Sequence, residues 1–320
     1  MKKIAVLTSG GDAPGMNACI RAVVRRALGR NVSVLGVRKG YEGLIDDIFV
    51  EMGWDDVSNI IQRGGTVLHT ARSARFMEPE GRRKAADNLC SRSVEGLVVI
   101  GGDGSFRGAH VFHREYLIPL VGIPATIDND IWGTDFTIGY DTAVNTALEA
   151  IDKIRDTAAA HDRIFVVEVM GRSAGFIALE VGIGVGAEAV LIPETRTDLE
   201  KICEVVHERM EQGRTSSILV VAEGDEEGNA FEIASKMKRM SGLESRVTVL
   251  GHVQRGGSPT TRDRVLASKL GWAAVDALLD DGWPCMVGEE NYGVVHHPLP
   301  DSWTRKKELD SLLVQLAENL

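Results

Sequence analysis

Gly96-Leu97-Val98-Val99-Ile100-Gly101-Gly102-Asp103-Gly104-Ser105 is an apolar run that breaks directly into glycines around a single carboxylate. A short run with no polar alternation reads as a strand over 96–100, covered on both faces. Two more apolar runs lead into polar loops. Residues 4–8 lead into Gly10-Gly11-Asp12-Ala13-Pro14-Gly15, and residues 120–123 lead into Pro124-Ala125-Thr126-Ile127-Asp128-Asn129-Asp130. Farther out, 33–37, 164–169, 189–192, 218–222 and 247–250 read as further buried strands. Amphipathic patterns over 16–28, 82–91, 141–155, 199–212 and 262–279 read as helices between them. Apolar strands alternating with helices predict an α/β chain with mostly parallel sheets. Ligands bind such sheets in the loops that leave the carboxyl ends of the strands. Three polar loops after three buried strands therefore predict one site.

The 320 residues suffice for two α/β domains or one large one. Acidic side chains outnumber basic ones, 46 to 36, for a net charge of −10, which disfavours nucleic acid and anionic membranes as partners. Anionic metabolites remain open, because they need only a local cluster of arginines. Cys19, Cys90, Cys203 and Cys285 are far apart and form no C-x-x-C pair. That spacing argues against a zinc site or a disulfide framework and fits a reducing compartment. The run at 4–7 is too short for the core of a signal peptide, and no apolar stretch nears the ~20 residues of a membrane span. A cytoplasmic protein is expected.

Glycine-rich turns before a helix let backbone N–H groups approach an anion at the helix N-terminus. The loops at 10–15 and 101–104 both fit a phosphate cradle, and both also fit a turn required only by the backbone. Neither matches the G-x-x-x-x-G-K-[ST] pattern, so a P-loop nucleotidase is unsupported. Neither gives a clean G-x-G-x-x-G followed by an acid, which weakens a dinucleotide reading. Asp103 reads either as a Mg²⁺ anchor or as a helix-capping carboxylate. Asp128 and Asp130, two residues apart in a segment read as extended, are expected to point the same way. Transfer of a phosphoryl group to an alcohol needs such a carboxylate to accept the alcohol proton; an Asx turn is the plainer alternative. Arg72, Arg163, Arg172, Arg246 and Arg255 recur at strand and loop ends. Arg172 and Arg255 follow strands and adjoin glycine, where a guanidinium can grip a phosphate with two hydrogen bonds. His252 is either a structural or a binding histidine.

Taken together, TSGGDAPGMNA, RKGYEGL, RGGT, GGDGS, TIDNDIWGTDFTIGYDTA, RDT, VMGR and VLGHVQRGGSPT resemble, in that order, the bacterial ATP-dependent 6-phosphofructokinase family. The resemblance runs over nearly the whole chain. It implies two Rossmann-like α/β/α sandwich domains with the active site in the cleft between them. The larger, ATP-binding domain would be 1–138 with 251–300, and the smaller, sugar-phosphate-binding domain 139–250 with 301–320. The implied reaction moves a phosphoryl group from ATP, with Mg²⁺, to the C1 hydroxyl of fructose 6-phosphate. By position, the family's ATP contacts fall on Gly11, Tyr41, Arg72, Asp103, Gly104, Ser105 and Gly108, with Asp103 toward the metal. Its sugar-phosphate contacts fall on Thr126, Asp128, Asp130, Met170, Gly171, Glu223, His252 and Arg255. Asp128 matches the base, and Thr126 and Arg172 stand beside it in the catalytic set, with Arg172 steadying the transferring group. Arg163 and Arg246 match arginines that reach a neighbouring subunit's sugar phosphate, so a homotetramer is implied. Arg21, Arg25, Arg155, Arg214 and Glu188 match an effector site between subunits.

Differences from the family pattern keep other readings in view. Ala125 stands where glycine is usual, and Gln212 and Thr215 replace lysines of regulated members. Pyrophosphate-dependent relatives carry Asp at the place of Gly104 and Lys at that of Ala125. Both positions here are small and neutral, which favours ATP. Another acceptor, such as sedoheptulose 7-phosphate or tagatose 6-phosphate, stays open. So does a non-catalytic nucleotide-sensing subunit, although Asp103 and Asp128 are both present.

Overall fold

The computed structural model describes residues 1–159, 163–213 and 216–319, with only the backbone at 158 and 159. The chain divides into two compact units. The larger contains 1–127, 131–142 and 255–307; the smaller contains 128–130, 143–254 and 308–320.

In the larger unit the elements are β1 (Lys3–Ser9), α1 (Met16–Gly29), β2 (Ser33–Val37), α2 (Gly40–Ile45), β3 (Phe49–Glu51), α3 (Pro79–Ser91), β4 (Gly96–Gly101), α4 (Asp103–Tyr116) and β5 (Leu120–Pro124). The helix α5 (Tyr140–Ala159) begins here and continues into the smaller unit. The strands of the larger sheet run in the order β11-β10-β5-β4-β1-β2-β3. The five strands β10, β5, β4, β1 and β2 are parallel, and all six residues of β4 are buried. Such a strand carries no polar face because helices cover both sides. Successive strands step one way from β1 to β2 and the other way to β4, so the order reverses between β1 and β4. That reversal opens a crevice at their carboxyl ends.

The smaller unit contains β6 (Ile164–Val169), α6 (Phe176–Val185), β7 (Ala189–Leu191), α7 (Leu199–Glu211), β8 (Ser217–Ala222), α8 (Ala230–Ser241) and β9 (Ser245–Val249). Its sheet is entirely parallel, in the order β7-β8-β6-β9. The chain then re-enters the larger unit through α9 (Thr261–Leu279), β10 (Cys285–Glu290), β11 (Gly293–Pro298) and α10 (Asp301–Thr304), and ends in the smaller with α11 (Ser311–Ala317).

Several elements lie outside the sequence reading. The antiparallel hairpin β10–β11 turns on Asn291 and Tyr292, both with positive φ (50° and 64°). The residue pair gives no Asn-Gly signal, so the turn is not announced. The helix α6 is apolar nearly all round, with six of its ten residues buried, and so has no amphipathic period to read. The units also divide the chain at other places than the resemblance implies. The segment 128–130 and the residues up to Gln254 belong to the smaller unit, while 301–307 belong to the larger, because α10 packs on α4 and β11.

The start of α5 is fixed by Asp263 of α9, which is 1% exposed. Its carboxylate accepts hydrogen bonds from the N–H groups of Gly139 and Thr142, each at 2.8 Å, and from the Thr142 hydroxyl. Burial nevertheless pushes its pKa up to about 6, with Asp141 adding to the rise and the three donors opposing it. A carboxyl group that holds its proton more tightly when folded stabilises most below its unfolded pKa, and loses that stabilisation as pH rises through the folded value. The loss, about 3 kcal/mol at most for a two-unit shift, falls between roughly pH 4 and 6. The melting-temperature advantage of wild type over Asp263→Asn is therefore expected to shrink from pH 4.5 to pH 7. A constant difference would remove Asp263 from this role.

Candidate active site

In the larger unit the carboxyl-end loops meet. The Thr70 hydroxyl donates to the Gly10 carbonyl at 2.8 Å, which pins the loop after β1. A Cβ on Gly10 would lie 3.5 Å from Ser105 Oγ, and one on Gly102 would lie 4.0 Å from the Thr126 Cβ. The loops after β1, β4 and β5 are therefore neighbours. Arg255 lies over the first of them. One guanidinium nitrogen donates to the Asp12 carbonyl at 3.3 Å and would stand 2.6 Å from any Cβ on Gly11. The structure thus brings together Gly11 and Arg255, which the resemblance assigned to different ligands.

Asp103 is the first residue of α4, where a carboxylate sits favourably on the helix dipole. It pairs with Arg107 one turn on, at 3.3 Å. Gly104, the next residue, is exposed, and a Cβ there would meet no protein atom within 4 Å. Glycine weakens a helix by about 1 kcal/mol against alanine. Among the described residues no packing contact requires glycine at 104, so the first turn of α4 faces open space there. Ser105 is buried; Gly108 would carry a Cβ 3.5 Å from both the Tyr41 and Phe76 rings. Tyr41 is itself buried at 5% exposure, stacked on Phe76 at 3.9 Å, with its hydroxyl donating to the Ser105 carbonyl at 2.6 Å. Tyr41 and Phe76 thus form a wall behind α4. Arg72 is exposed and makes no ion pair among the described residues.

The smaller unit holds Asp128, Asp130, Arg163, Met170, Gly171, Arg172, Glu223, Arg246 and His252. The two aspartates do not point the same way. Asn129 between them adopts φ 55°, which breaks the extended alternation; Asp128 is 1% exposed and Asp130 is exposed. Arg172 Nε lies 3.4 Å from Asp128 and supplies the counter-charge that a buried carboxylate requires. Arg172 follows β6 in the left-handed conformation (φ 54°), after Gly171 at φ 147°. The carboxylate of Glu223, which follows β8, accepts from the Arg172 N–H at 2.7 Å and the Gly171 N–H at 3.4 Å. Gly224 is obligatory here, since a Cβ would meet the Arg172 carbonyl oxygen at 2.0 Å. Met170 is buried and its N–H donates to Gln254, a residue the sequence reading passed over although His252 and Arg255 flank it. His252 is exposed on the Gly251–Arg255 turn after β9.

Arg163 and Arg246 stand elsewhere. Arg163 precedes β6, and Arg246 pairs with Phe165 near the start of that strand. At about 3.3 Å per residue they lie roughly 20 Å from the turns at the carboxyl end of β6. One copy of the smaller unit therefore cannot bring these arginines to its own Met170 and Arg172.

Of the expected effector residues, Arg21 and Arg25 share α1. Arg25 lies over the Trp54 ring at 5.4 Å, and the Arg21 pKa is lowered by burial and by Arg25. Arg155 donates to the carbonyls of Val185 and Gly186, and buried Glu188 accepts from the Ile218 N–H, 3.8 Å from Arg209. Arg214 and Thr215 lie outside the described residues.

The model of the Phosphofructokinase family matches residues 3–278 of the chain. The chain belongs to the phosphofructokinase family. Among curated phosphofructokinases it is 55% identical over 320 residues to the ATP-dependent 6-phosphofructokinase 1 of Thermus thermophilus, covering all of this chain and 99% of that protein. It is 53% identical over 321 residues to the ATP-dependent 6-phosphofructokinase of Cytophaga hutchinsonii, covering 100% and 98%. A solved phosphofructokinase from Saccharomyces cerevisiae superposes with a TM-score of 0.90 at 39% identity, over 94% of this chain and 45% of the longer yeast chain. A pyrophosphate-dependent phosphofructokinase from Marinobacter aquaeolei shares the fold (TM-score 0.85) at 22% identity, over 97% and 86% of the two chains.

Proposed function

We propose that this phosphofructokinase uses ATP to phosphorylate the C1 hydroxyl of fructose 6-phosphate, giving fructose 1,6-bisphosphate, a step of glycolysis. The observation that carries the reading is the pair formed by Asp128 and Arg172, a buried carboxylate 3.4 Å from a guanidinium. Asp128 accepts the hydroxyl proton as the C1 oxygen attacks the γ-phosphorus of ATP, the bond from that phosphorus to the bridging oxygen breaks and ADP leaves, and Arg172, with Thr126, steadies the charge on the transferring group. The larger unit is assigned to ATP through Gly11, Tyr41, Arg72, Asp103, Gly104, Ser105 and Gly108. The sugar phosphate is assigned to Asp130, Met170, Gly171, Glu223, His252 and Arg255. Asp103 fits Mg²⁺, which takes one or two carboxylates and completes its shell with water and phosphate oxygens. A Mg²⁺ held by Asp103 would supply charge neutralisation at the phosphates. The experiment is initial-rate phosphorylation of fructose 6-phosphate, tagatose 6-phosphate and sedoheptulose 7-phosphate with ATP. A clear preference for either of the other sugars would overturn the acceptor assignment.

The roughly 20 Å between Arg246 and the Arg172 turn, from about 3.3 Å per strand residue, supports sharing of the sugar-phosphate site between subunits, and so at least a dimer; the family resemblance extends this to a homotetramer. Sedimentation is expected to give an active oligomer whose activity falls when Arg246 is changed to Ala. A fully active monomer would contradict it. Regulation through Arg21, Arg25, Arg155, Glu188 and Arg214 is proposed to be weak, because Arg155 and Glu188 are already engaged within the smaller unit. Millimolar ADP is expected to move the sugar-phosphate saturation midpoint only slightly; a large shift would refute this.

A further inference from the structure

We propose that Gln254 is a positioning residue for the reaction: its side-chain carbonyl holds the Met170 amide, and with it the turn that aims Arg172 at Asp128. The inference rests on the assignment of Met170, Arg172 and Asp128 made above.

Gln254 is fully buried, at 0% exposure, in the turn that follows β9. Its Oε1 accepts from the Met170 N–H at 2.9 Å. The next two N–H groups, of Gly171 and Arg172, donate to Glu223 at 3.4 and 2.7 Å. Three successive amides of one turn are thus held by two side chains. Those side chains come from the ends of β9 and β8, the two strands that flank β6 in the sheet. The turn needs such a clamp, because Arg172 adopts a left-handed conformation that a residue carrying a Cβ rarely takes unaided.

Glutamine is a costly choice for the place. Its Nε2 is buried and has no hydrogen-bond partner among the described residues. A leucine would fill nearly the same volume without that unmatched donor. What glutamine supplies there is the acceptor. Fixing Met170 fixes where the chain enters the left-handed residue, and so the direction in which the guanidinium leaves the turn.

Gln254→Leu keeps the shape and removes the acceptor. Its kcat is expected to fall at least about tenfold, since a displacement of an ångström near reacting groups costs up to 10²-fold. The KM for ATP is expected to stay within twofold. Gln254→Glu restores an acceptor on a group whose buried form is the neutral acid. Its protonated form is expected to bring kcat back toward wild type at low pH; ionisation would leave a charge at a position 0% exposed, which is expected to open the turn and lower kcat through a titration absent from the wild-type profile. Hydrogen exchange on the assembled protein reads the turn independently of activity: amides 170–172 should exchange faster in Gln254→Leu, while β6 and β8 stay protected. Unchanged kcat and exchange in Gln254→Leu would overturn the inference. So would equal impairment of the Leu and Glu variants with a wild-type pH profile, which marks mere packing. Arg172→Ala, assayed alongside, separates the two failures. If it loses activity while Gln254→Leu does not, only the role of Gln254 falls; if Arg172→Ala retains wild-type kcat, the site assignment falls and takes the inference with it.

Discussion

Asp128→Asn is expected to lower kcat by at least ~10²-fold, the scale of general-base catalysis, with little change in fold or in either KM. The substitution is nearly isosteric at a residue 1% exposed, so packing is preserved. What it removes is the group proposed to accept the C1 proton, together with the charge facing Arg172. Steady-state kinetics with circular dichroism would check both halves of the expectation. A variant with most of its turnover would take Asp128 out of the mechanism and leave the Arg172 contact a structural one. A variant that loses turnover only because it unfolds would show itself in the melting curve.

Gly104→Asp is expected to damage ATP use while improving the helix that carries it. A Cβ at 104 meets no atom of the described residues within 4 Å, which leaves room for the new side chain. A carboxylate in the first turn of α4 complements the helix dipole, and replacing glycine in a helix lowers its entropic cost, so the melting temperature should rise. The same carboxylate would face the phosphates of the donor. Like charges 4 Å apart repel by about 4 kcal/mol at an effective dielectric of 20; half of that at an exposed helix N-terminus is about 30-fold in affinity. The KM for ATP should therefore rise at least about 30-fold while that for fructose 6-phosphate hardly moves. Equal effects on both substrates would mean that 104 does not face the donor.

Much of this site can be read from the sequence because its loops follow strands with no polar alternation. The runs at 4–8, 96–100 and 120–123 appear as β1, β4 and β5, and the loops that follow them are neighbours near the reversal of strand order. The pattern gave the loops and their order but not their conformations. Asn129 turns left-handed, so Asp128 goes inside and Asp130 outside, which no residue spacing announces. Tyr41 reads as a ligand contact by resemblance, yet its ring and hydroxyl are held by Phe76 and Ser105. Gln254 carries no signal because a buried glutamine is recognised only by what it holds. The hairpin β10–β11 was invisible for a simpler reason, a turn on Asn291 and Tyr292 without glycine at either position.

The central claim is that this phosphofructokinase draws its phosphoryl group from ATP. The most direct test is the initial rate of fructose 1,6-bisphosphate formation by the wild-type protein, with ATP or pyrophosphate as donor at matched Mg²⁺. The open, uncharged position at Gly104 and the small Ala125 predict rapid turnover with ATP and little with pyrophosphate. A kcat/KM higher for pyrophosphate than for ATP would contradict the account.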